Sequence, residues 1–259
     1  MGAGRVIFVS AGPGAADLIT VRGARALGTA DIVLADALAD PALRDLAPQA
    51  QWVLVGKRGY EHSAKQTEIN ALLLKATQEH AVVVRLKGGD ASIFGRLEEE
   101  LVALAEAGVA SEVIPGVTAA FAAAAHAQRP LTRRGRGRNV SLTTAMTETG
   151  ELRAALSADT EVFYMAGRQL ATLGAKLIVA GWPADTLALV VSRAGCADAI
   201  TSEHSIATLA DAAPLHGNCP TVVTVGTGAA PVQGQPHLTP ASKIVVSPEQ
   251  APLTTQSRS

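Results

Sequence analysis

Short β-branched runs alternate with longer segments rich in alanine and leucine along most of this 259-residue chain. Residues 81–86 are apolar except for Arg85, which is typical of a parallel strand that helices cover on both faces. Residues 66–80, just before it, carry apolar side chains at the spacing of one helix face. Because strands that alternate with helices pair in parallel, this pattern predicts an α/β fold.

The alternation occurs in two successive halves of the chain. Strands are predicted at residues 6–9, 31–34, 52–55, 81–86, 111–114, 140–143, 160–165, 187–191 and 221–225. Helices are predicted at residues 21–29, 66–80, 98–107, 118–127, 168–180 and 205–210. We therefore expect two α/β domains, residues 1–117 and 118–229, each with a mostly parallel or mixed sheet flanked by helices. Residues 230–259 are rich in Pro, Ser, Thr and Gln, which predicts a disordered tail.

Composition narrows the classes of function. The 22 Lys and Arg residues nearly balance 23 Asp and Glu, which argues against a nucleic-acid or membrane-surface binder. Aromatic residues make up only 3% of the chain, so stacking on bases is disfavoured. Two cysteines cannot build a disulfide framework, and no apolar stretch reaches the ~18 residues that span a bilayer. We expect a cytoplasmic protein without nucleic-acid or membrane partners.

Glycine-containing turns follow three of the predicted strands. They are residues 12–14 (Gly-Pro-Gly), 88–90 (Gly-Gly-Asp) and 115–116 (Pro-Gly). Open α/β sheets bind ligands at the carboxyl ends of their strands, and glycine lets a ligand approach the backbone closely. Neither the dinucleotide fingerprint nor the P-loop is present, so a nucleotide-phosphate enzyme is the weakest hypothesis. A tight turn without a ligand is the alternative at each position.

Basic residues cluster in two places. Arg85, Lys87 and Arg96 flank the central glycine turn, and four arginines, including Arg133 and Arg134, lie within residues 133–138. Guanidinium groups bind carboxylates bidentately, so these residues are candidate ligands for a small polycarboxylate. A solvated charged loop and a nucleic-acid contact are the alternatives. The six histidines show no metal-ligand spacing, and we expect neither a metal nor a covalent nucleophile.

Six motifs together resemble the tetrapyrrole methyltransferases, most closely the branch that methylates uroporphyrinogen III. They are residues 9–14 (VSAGPG), 55–58 (VGKR), 85–96 (RLKGGDASIFGR), 115–118 (PGVT), 130–132 (PLT) and 163–165 (FYM). The resemblance covers residues 5–225. It implies a two-domain homodimer with S-adenosylmethionine in the cleft between the domains. It also implies two methyl transfers, at C2 and C7, that give precorrin-2 for sirohaem and cobalamin synthesis.

The resemblance also implies roles for individual residues. Asp36 and Lys57 fall on the positions that handle protons. The cofactor contacts fall on Pro13, Gly88, Gly89, Asp90, Ile93, Thr118, Ala119, Met165 and Ala194. A pyrrole carbon is electron-rich, so alignment of donor and acceptor suffices, and a carboxylate can then remove a ring proton. The eight carboxylates of uroporphyrinogen III are a plausible partner for Arg85, Lys87, Arg96, Arg133 and Arg134.

Several positions depart from the family pattern. Asp36 stands between Ala35 and Ala37, where tyrosine and arginine are usual, and Ala91-Ser92 replaces Pro-Phe. Arginine replaces histidine at residue 133, and residues 144–146 (TAM) and Ala166 differ as well. These changes leave two alternatives open: a methyltransferase for another tetrapyrrole, such as a later corrin precursor, and a non-catalytic binder of tetrapyrrole or S-adenosylmethionine.

Overall fold

The first half of the chain forms a five-stranded parallel sheet. The computed structural model describes residues 4–55, 66–146 and 151–238. Within them the first five strands are β1 (Arg5–Ser10), β2 (Ile32–Ala35), β3 (Gln51–Leu54), β4 (Val82–Lys87) and β5 (Ser111–Ile114). They lie in the order β3-β2-β4-β1-β5, and every pairing is parallel. The predicted α/β fold is confirmed for this half.

The second half forms a five-stranded mixed sheet. Its strands are β6 (Val140–Thr144), β7 (Thr160–Tyr164), β8 (Leu187–Ser192), β9 (Ile200–Ser205) and β10 (Thr221–Gly226), in the order β6-β7-β10-β8-β9. Only β6 and β7 pair in parallel. The sequence analysis missed β9, because its polar residues hide the strand pattern although Thr201 and Ser202 are fully buried.

Helices cover both sheets. They are α1 (Val21–Leu27), α2 (Gln66–Glu79), α3 (Leu97–Glu106), α4 (Ala119–His126), α5 (Leu170–Val179) and α6 (Ala213–His216). The segment predicted as a helix at 205–210 is a 3-10 helix, Ile206–Ala212, which the Ser205 side chain caps. Within the described ranges, no helix is long and apolar enough to cross a membrane.

The continuous apolar runs reflect burial on both faces of the first sheet. Ile7 of β1 belongs to a cluster with Leu27 of α1, whereas its neighbour Phe8 belongs to a cluster with Leu73 of α2 and Leu104 of α3. Successive side chains of a strand point to opposite faces, so a strand between two helical layers has no face exposed to solvent.

The chain remains in contact with the second domain beyond residue 230. Arg133 donates to the carbonyl oxygens of Ala230 and Pro231, and His237 pairs with the buried carboxylate of Glu203. The sequence analysis predicts a disordered tail from residue 230, and residues 230–238 of that segment make these contacts. Residues 239–259 lie outside the described residues, and disorder there stays a prediction.

The turn after β1 docks the first sheet against the second. The Ala15 amide donates to the carbonyl oxygen of Gly195, 2.9 Å away, in the loop that follows β8. A Cβ atom on Gly14 would lie 2.5 Å from the Gly195 carbonyl carbon and 2.7 Å from the Cys196 nitrogen. Only glycine permits this backbone approach.

We expect the substitution Gly14→Ala to lower the free energy of unfolding by about 1–3 kcal/mol, because the methyl group would force two backbone segments apart. Urea unfolding measures this difference. Gly28→Ala is the matched control, since its nearest atom would be the Leu46 oxygen at 3.3 Å. Equal stability of the two variants would contradict the tight contact.

Candidate active site

The carboxyl ends of strands from both sheets meet in one region. Several residues of this region have a left-handed backbone conformation, with positive φ. Gly12 follows β1 and Gly89 follows β4, with φ of 79° and 69°. Met165 follows β7 and Arg193 follows β8, with φ of 56° and 54°. Non-glycine residues rarely adopt this conformation, and it is enriched at functional sites. These four strand ends define the candidate site.

Two of the predicted ligand turns pair directly. Gly12 and Gly89 exchange backbone hydrogen bonds of 3.1 and 2.8 Å across an isolated antiparallel bridge. A Cβ atom on Gly89 would meet no atom within 4 Å, so this backbone faces open space. The bridge therefore fixes two neighbouring turns while leaving the Gly89 backbone accessible to a ligand.

Asp90 links the central turn to the turn after β5. Its Oδ2 accepts from the Gly116 amide at 2.8 Å, and its Oδ1 accepts from the amide (2.9 Å) and hydroxyl of Ser92. Burial acts to raise the pKa of Asp90, but these hydrogen bonds outweigh it and hold the pKa below its usual value. The carboxylate is an anionic clamp between two loops.

The departure at Ala91 has a structural compensation. Proline, usual at this position, has no amide proton, whereas the Ala91 amide donates to Ser10 Oγ at 3.0 Å. The hydrogen bonds of Ser92 to Asp90 hold the same turn from the other side. The loop is thus fixed by hydrogen bonds instead of by a rigid ring.

Tyr164 joins the two domains at the site. Its hydroxyl lies 2.7 Å from Thr118 Oγ1, and its ring makes an edge-to-face contact with Phe94, with centroids 5.0 Å apart. The nearby predicted residue Ile93 packs against the same apolar cluster as Ala119. Burial raises the pKa of Tyr164, so its hydroxyl stays protonated at neutral pH.

The structure brings the predicted cofactor positions together at these strand ends. Pro13 lies in the turn that contacts Gly195, next to Ala194. Gly88 and Gly89 follow β4, Thr118 and Ala119 begin α4, and Met165 follows β7. Thr118 shows no side-chain capping bond in its helix, since its hydroxyl is directed to Tyr164 instead.

Asp36 lies at the carboxyl end of β2 in an ion pair. Arg85 Nη2 donates to Asp36 Oδ1 at 2.6 Å, and the Asp36 side chain is 29% exposed. Arg85 is only 2% exposed and donates also to Glu100 and to two backbone carbonyl oxygens. Lys57, the other predicted proton-handling residue, lies outside the described residues.

Two predicted substrate ligands are interior residues. The side chains of Arg85 and Lys87 are 2% and 3% exposed, and both donate to the buried carboxylate of Glu100. Together with Asp36, this carboxylate neutralises their charges inside the first domain. The structure does not present them to a ligand, in contrast to the expectation from the sequence.

The basic loop, residues 133–138, lies at the amino ends of β6 and β7, whereas the candidate site lies at the carboxyl end of β7. It is therefore not placed for the predicted contact with the substrate. The Arg138 amide donates to Asp159, immediately before β7 begins, whereas Met165 follows the end of that strand. The two ends of this five-residue strand are about 17 Å apart. Arg133 donates to the carbonyl oxygens of Ala230 and Pro231, and Arg134 is exposed at the amino ends of these strands. The loop precedes β6, which runs parallel to β7, so strand direction places it there.

Three residues at the site were missed by the sequence analysis. Tyr164 was part of a quoted motif, but no role was assigned to it. Arg193 pairs with Asp198 at 2.8 Å beside the Ala194 backbone. Glu100 had no sequence signal besides its place in an acidic first helical turn, because burial of a carboxylate depends on tertiary contacts.

A buried polar network lies behind the loop that carries Arg193 and Ala194. Ser192 Oγ lies 2.6 Å from both His216 Nδ1 and Thr221 Oγ1. Burial, together with the nearby His204, lowers the pKa of His216 to about 4, so the ring is neutral near pH 7. These hydrogen bonds fix the end of β8 and, through it, the loop.

Comparison with known proteins places this architecture in a family. Residues 5–210 match the tetrapyrrole (corrin/porphyrin) methylases. The chain is 39% identical over 232 residues to uroporphyrinogen-III C-methyltransferase of Synechocystis sp., which covers 86% of this chain and 88% of the relative. The chain belongs to the tetrapyrrole methylase family.

Two solved structures share the fold. Uroporphyrin-III C-methyl transferase from Thermus thermophilus, complexed with S-adenyl homocysteine, superposes with a TM-score of 0.76 at 33% identity, covering 86% of this chain and 97% of that one. A cobalt precorrin-4 methyltransferase superposes with a TM-score of 0.75 at 30% identity, covering 88% and 96%. The two-domain fold expected from the sequence is confirmed.

The strand-end site fits S-adenosylmethionine, the co-substrate of this family. The open Gly89 backbone and Met165, which is 37% exposed, offer polar backbone groups beside an apolar side chain. Such a surface suits a ligand that combines an adenosine with an amino-acid moiety. The residues that would hold it are those of the three turns and of the loops after β7 and β8.

We expect Asp90→Ala to raise the dissociation constant of S-adenosylhomocysteine at least tenfold, because the Gly116 turn and the central turn would lose their shared anchor. Isothermal titration calorimetry measures this constant. Asp159→Ala is the control. It also removes a carboxylate that accepts a hydrogen bond from a backbone amide, but it lies at the amino end of β7, away from the candidate site. Unchanged affinity in the Asp90 variant would contradict the clamp.

Proposed function

We propose that this chain transfers methyl groups from S-adenosylmethionine to C2 and C7 of uroporphyrinogen III and so forms precorrin-2, the precursor of sirohaem and cobalamin. The observation that carries the proposal is a site built from strand ends of both domains, in a chain that matches a uroporphyrinogen-III C-methyltransferase over 86% of its length. Both domains contribute residues to that site.

The chemistry requires alignment and removal of a proton. S-adenosylmethionine supplies an activated methyl group on its sulfonium, and attack by an electron-rich pyrrole carbon needs no enzyme nucleophile. The backbone of the turns after β1 and β4 and of the loops after β7 and β8 holds the donor. Asp36, partly exposed at the end of β2, accepts the proton that the methylated ring system loses.

Cations at the strand ends bind the substrate carboxylates in this proposal. Arg96 and Arg193 are 57% and 42% exposed, and their partners Glu99 and Asp198 are exposed as well. Exposed ion pairs contribute about 0–1 kcal/mol, so a substrate carboxylate can replace either partner at small cost. Lys57 keeps its predicted role as the second proton-handling residue.

A later corrin precursor is the second candidate acceptor. The cobalt precorrin-4 methyltransferase matches this chain nearly as well in TM-score as the uroporphyrin-III enzyme does. Ala35 and Ala37 also replace the tyrosine and arginine that usually flank the aspartate. Ala35 is buried in the core of the first domain, but at residue 37, which is partly exposed, a smaller side chain leaves more room beside Asp36 for an acceptor that already carries additional methyl groups.

We also propose that the chain forms a homodimer through a groove beside the edge strand β6. Phe121 of α4, which is 57% exposed, lines this groove together with Leu131, Val140 and Leu142. No strand among the described residues pairs with the outer edge of β6, and an apolar surface next to such an edge is suited to a second copy. We expect a dimer by sedimentation velocity and a shift towards monomer in Phe121→Glu, with Val179→Glu, an exposed position on α5, as the control. A monomeric wild-type protein would contradict this.

The methyl transfer is tested by mixing the purified protein anaerobically with uroporphyrinogen III and S-adenosylmethionine. We expect a product that is two methyl groups heavier by mass spectrometry and has the absorbance of precorrin-2 after oxidation. Turnover of a corrin precursor but not of uroporphyrinogen III would favour the second candidate. Binding of S-adenosylhomocysteine without turnover of any tetrapyrrole would overturn both and indicate a non-catalytic binder.

A further inference from the structure

We infer that Glu100 is a positioning residue for the proposed methyl transfer: its carboxylate fixes the guanidinium of Arg85 in the orientation that holds Asp36 at the strand end. Glu100 lies in the first turn of α3 and is 0% exposed, so it does not itself reach the substrate. The inference rests on the proposed function, since it concerns the residue assigned to the proton transfer.

The carboxylate of Glu100 uses both oxygens on different cations. Oε1 accepts from Arg85 Nε at 2.9 Å, and Oε2 accepts from Lys87 Nζ at 2.7 Å. Gln66 Nε2 approaches Oε1 at 3.4 Å from α2. This set of donors leaves the carboxylate one orientation.

That orientation determines where Arg85 points. A guanidinium is planar, and anchoring of Nε by Glu100 and of Nη1 by the carbonyl oxygens of Leu34 and Leu86 (both 3.2 Å) fixes the plane. The remaining nitrogen, Nη2, then lies 2.6 Å from Asp36 Oδ1. The position of the Asp36 carboxylate therefore depends on a carboxylate that it does not touch.

Charge balance gives the same dependence. Arg85 and Lys87 are two buried cations on one strand, and Glu100 and Asp36 are the carboxylates that neutralise them. Burial and the neighbouring Arg85 lower the pKa of Lys87, while Glu100 acts to raise it. Without the charge of Glu100, Asp36 would be the one carboxylate among the described residues that still forms an ion pair with either buried cation, and the excess positive charge would draw it towards the interior.

The test is a double-mutant cycle of Glu100→Gln and Asp36→Asn in the full-length protein. We expect Glu100→Gln to lower kcat 10- to 100-fold, with the KM for uroporphyrinogen III and the dissociation constant of S-adenosylhomocysteine changed less than threefold. In the Asp36→Asn background, the same substitution is expected to lower kcat less than twofold further, because its target is already absent. Glu98→Gln, an exposed carboxylate in the same helical turn, is the matched control.

A purely structural role would give a different result. Equal factors in kcat in both backgrounds, or a parallel loss of cofactor affinity, would overturn the inference. Should Glu100→Gln fail to fold, Glu100→Asp keeps the charge with a shorter reach, and a loss of kcat at constant KM is expected from it. Unchanged kcat in Glu100→Asp, with Glu100→Gln unfolded, would also overturn the inference.

Urea unfolding of the four proteins of the cycle (wild type, the two single variants and the double variant) tests the coupling without requiring that the methyl acceptor be known. We expect the unfolding equilibrium constants to show at least fivefold coupling between positions 36 and 100, since both act on one guanidinium. Coupling in an inactive wild-type protein would contradict the proposed function while supporting the link between these two positions through Arg85. Additive effects on unfolding would overturn the inference whatever the activity.

Discussion

Two cations on a central strand are the constraint around which the first domain is organised. β4 lies between β2 and β1, and its residues Arg85 and Lys87 have lost nearly all contact with solvent. A buried charge is tolerated only when it is paired and hydrogen-bonded. Glu100 must therefore reach the strand from α3, and Asp36 from the end of β2. The helix position, the charge of the interior and the placement of the candidate proton acceptor follow from that requirement.

The second constraint is the contact between the two sheets. It includes direct contacts between backbone groups, through the approach of Gly14 to Gly195 and the hydrogen bond from the Ala15 amide to the Gly195 carbonyl oxygen. A site built from main-chain atoms depends on loop conformation more than on side-chain identity. This explains how Ala91 and Ser92 can stand where proline and an aromatic residue are usual, since their hydrogen bonds to Ser10 and Asp90 hold the same loop.

Sequence reasoning succeeded where hydrophobic pattern and local turn chemistry decide structure. The glycine turns after β1 and β4 lie at the candidate site, and their role in binding stays a prediction. From its apolar runs, sequence reasoning predicted all five strands of the first sheet. It failed at β9, whose burial of Thr201 and Ser202 contradicts the usual pattern. It also failed to distinguish buried cations from exposed ones. The sequence of a basic segment does not show whether its side chains pair with a buried carboxylate or face a ligand.

The sequence by itself determined the fold class, the family and the turns that form the candidate site, since these depend on short-range patterns. Only the tertiary structure decided which charges face the site. Arg85 and Lys87 are turned inward because Glu100 meets them there, 13 to 15 residues along the chain. The arginines of residues 133–138 lie at the amino ends of β6 and β7, away from the candidate site, because they precede a strand that runs parallel to β7. Strand direction and long-range ion pairing are properties of the assembled sheets, and no local pattern encodes them.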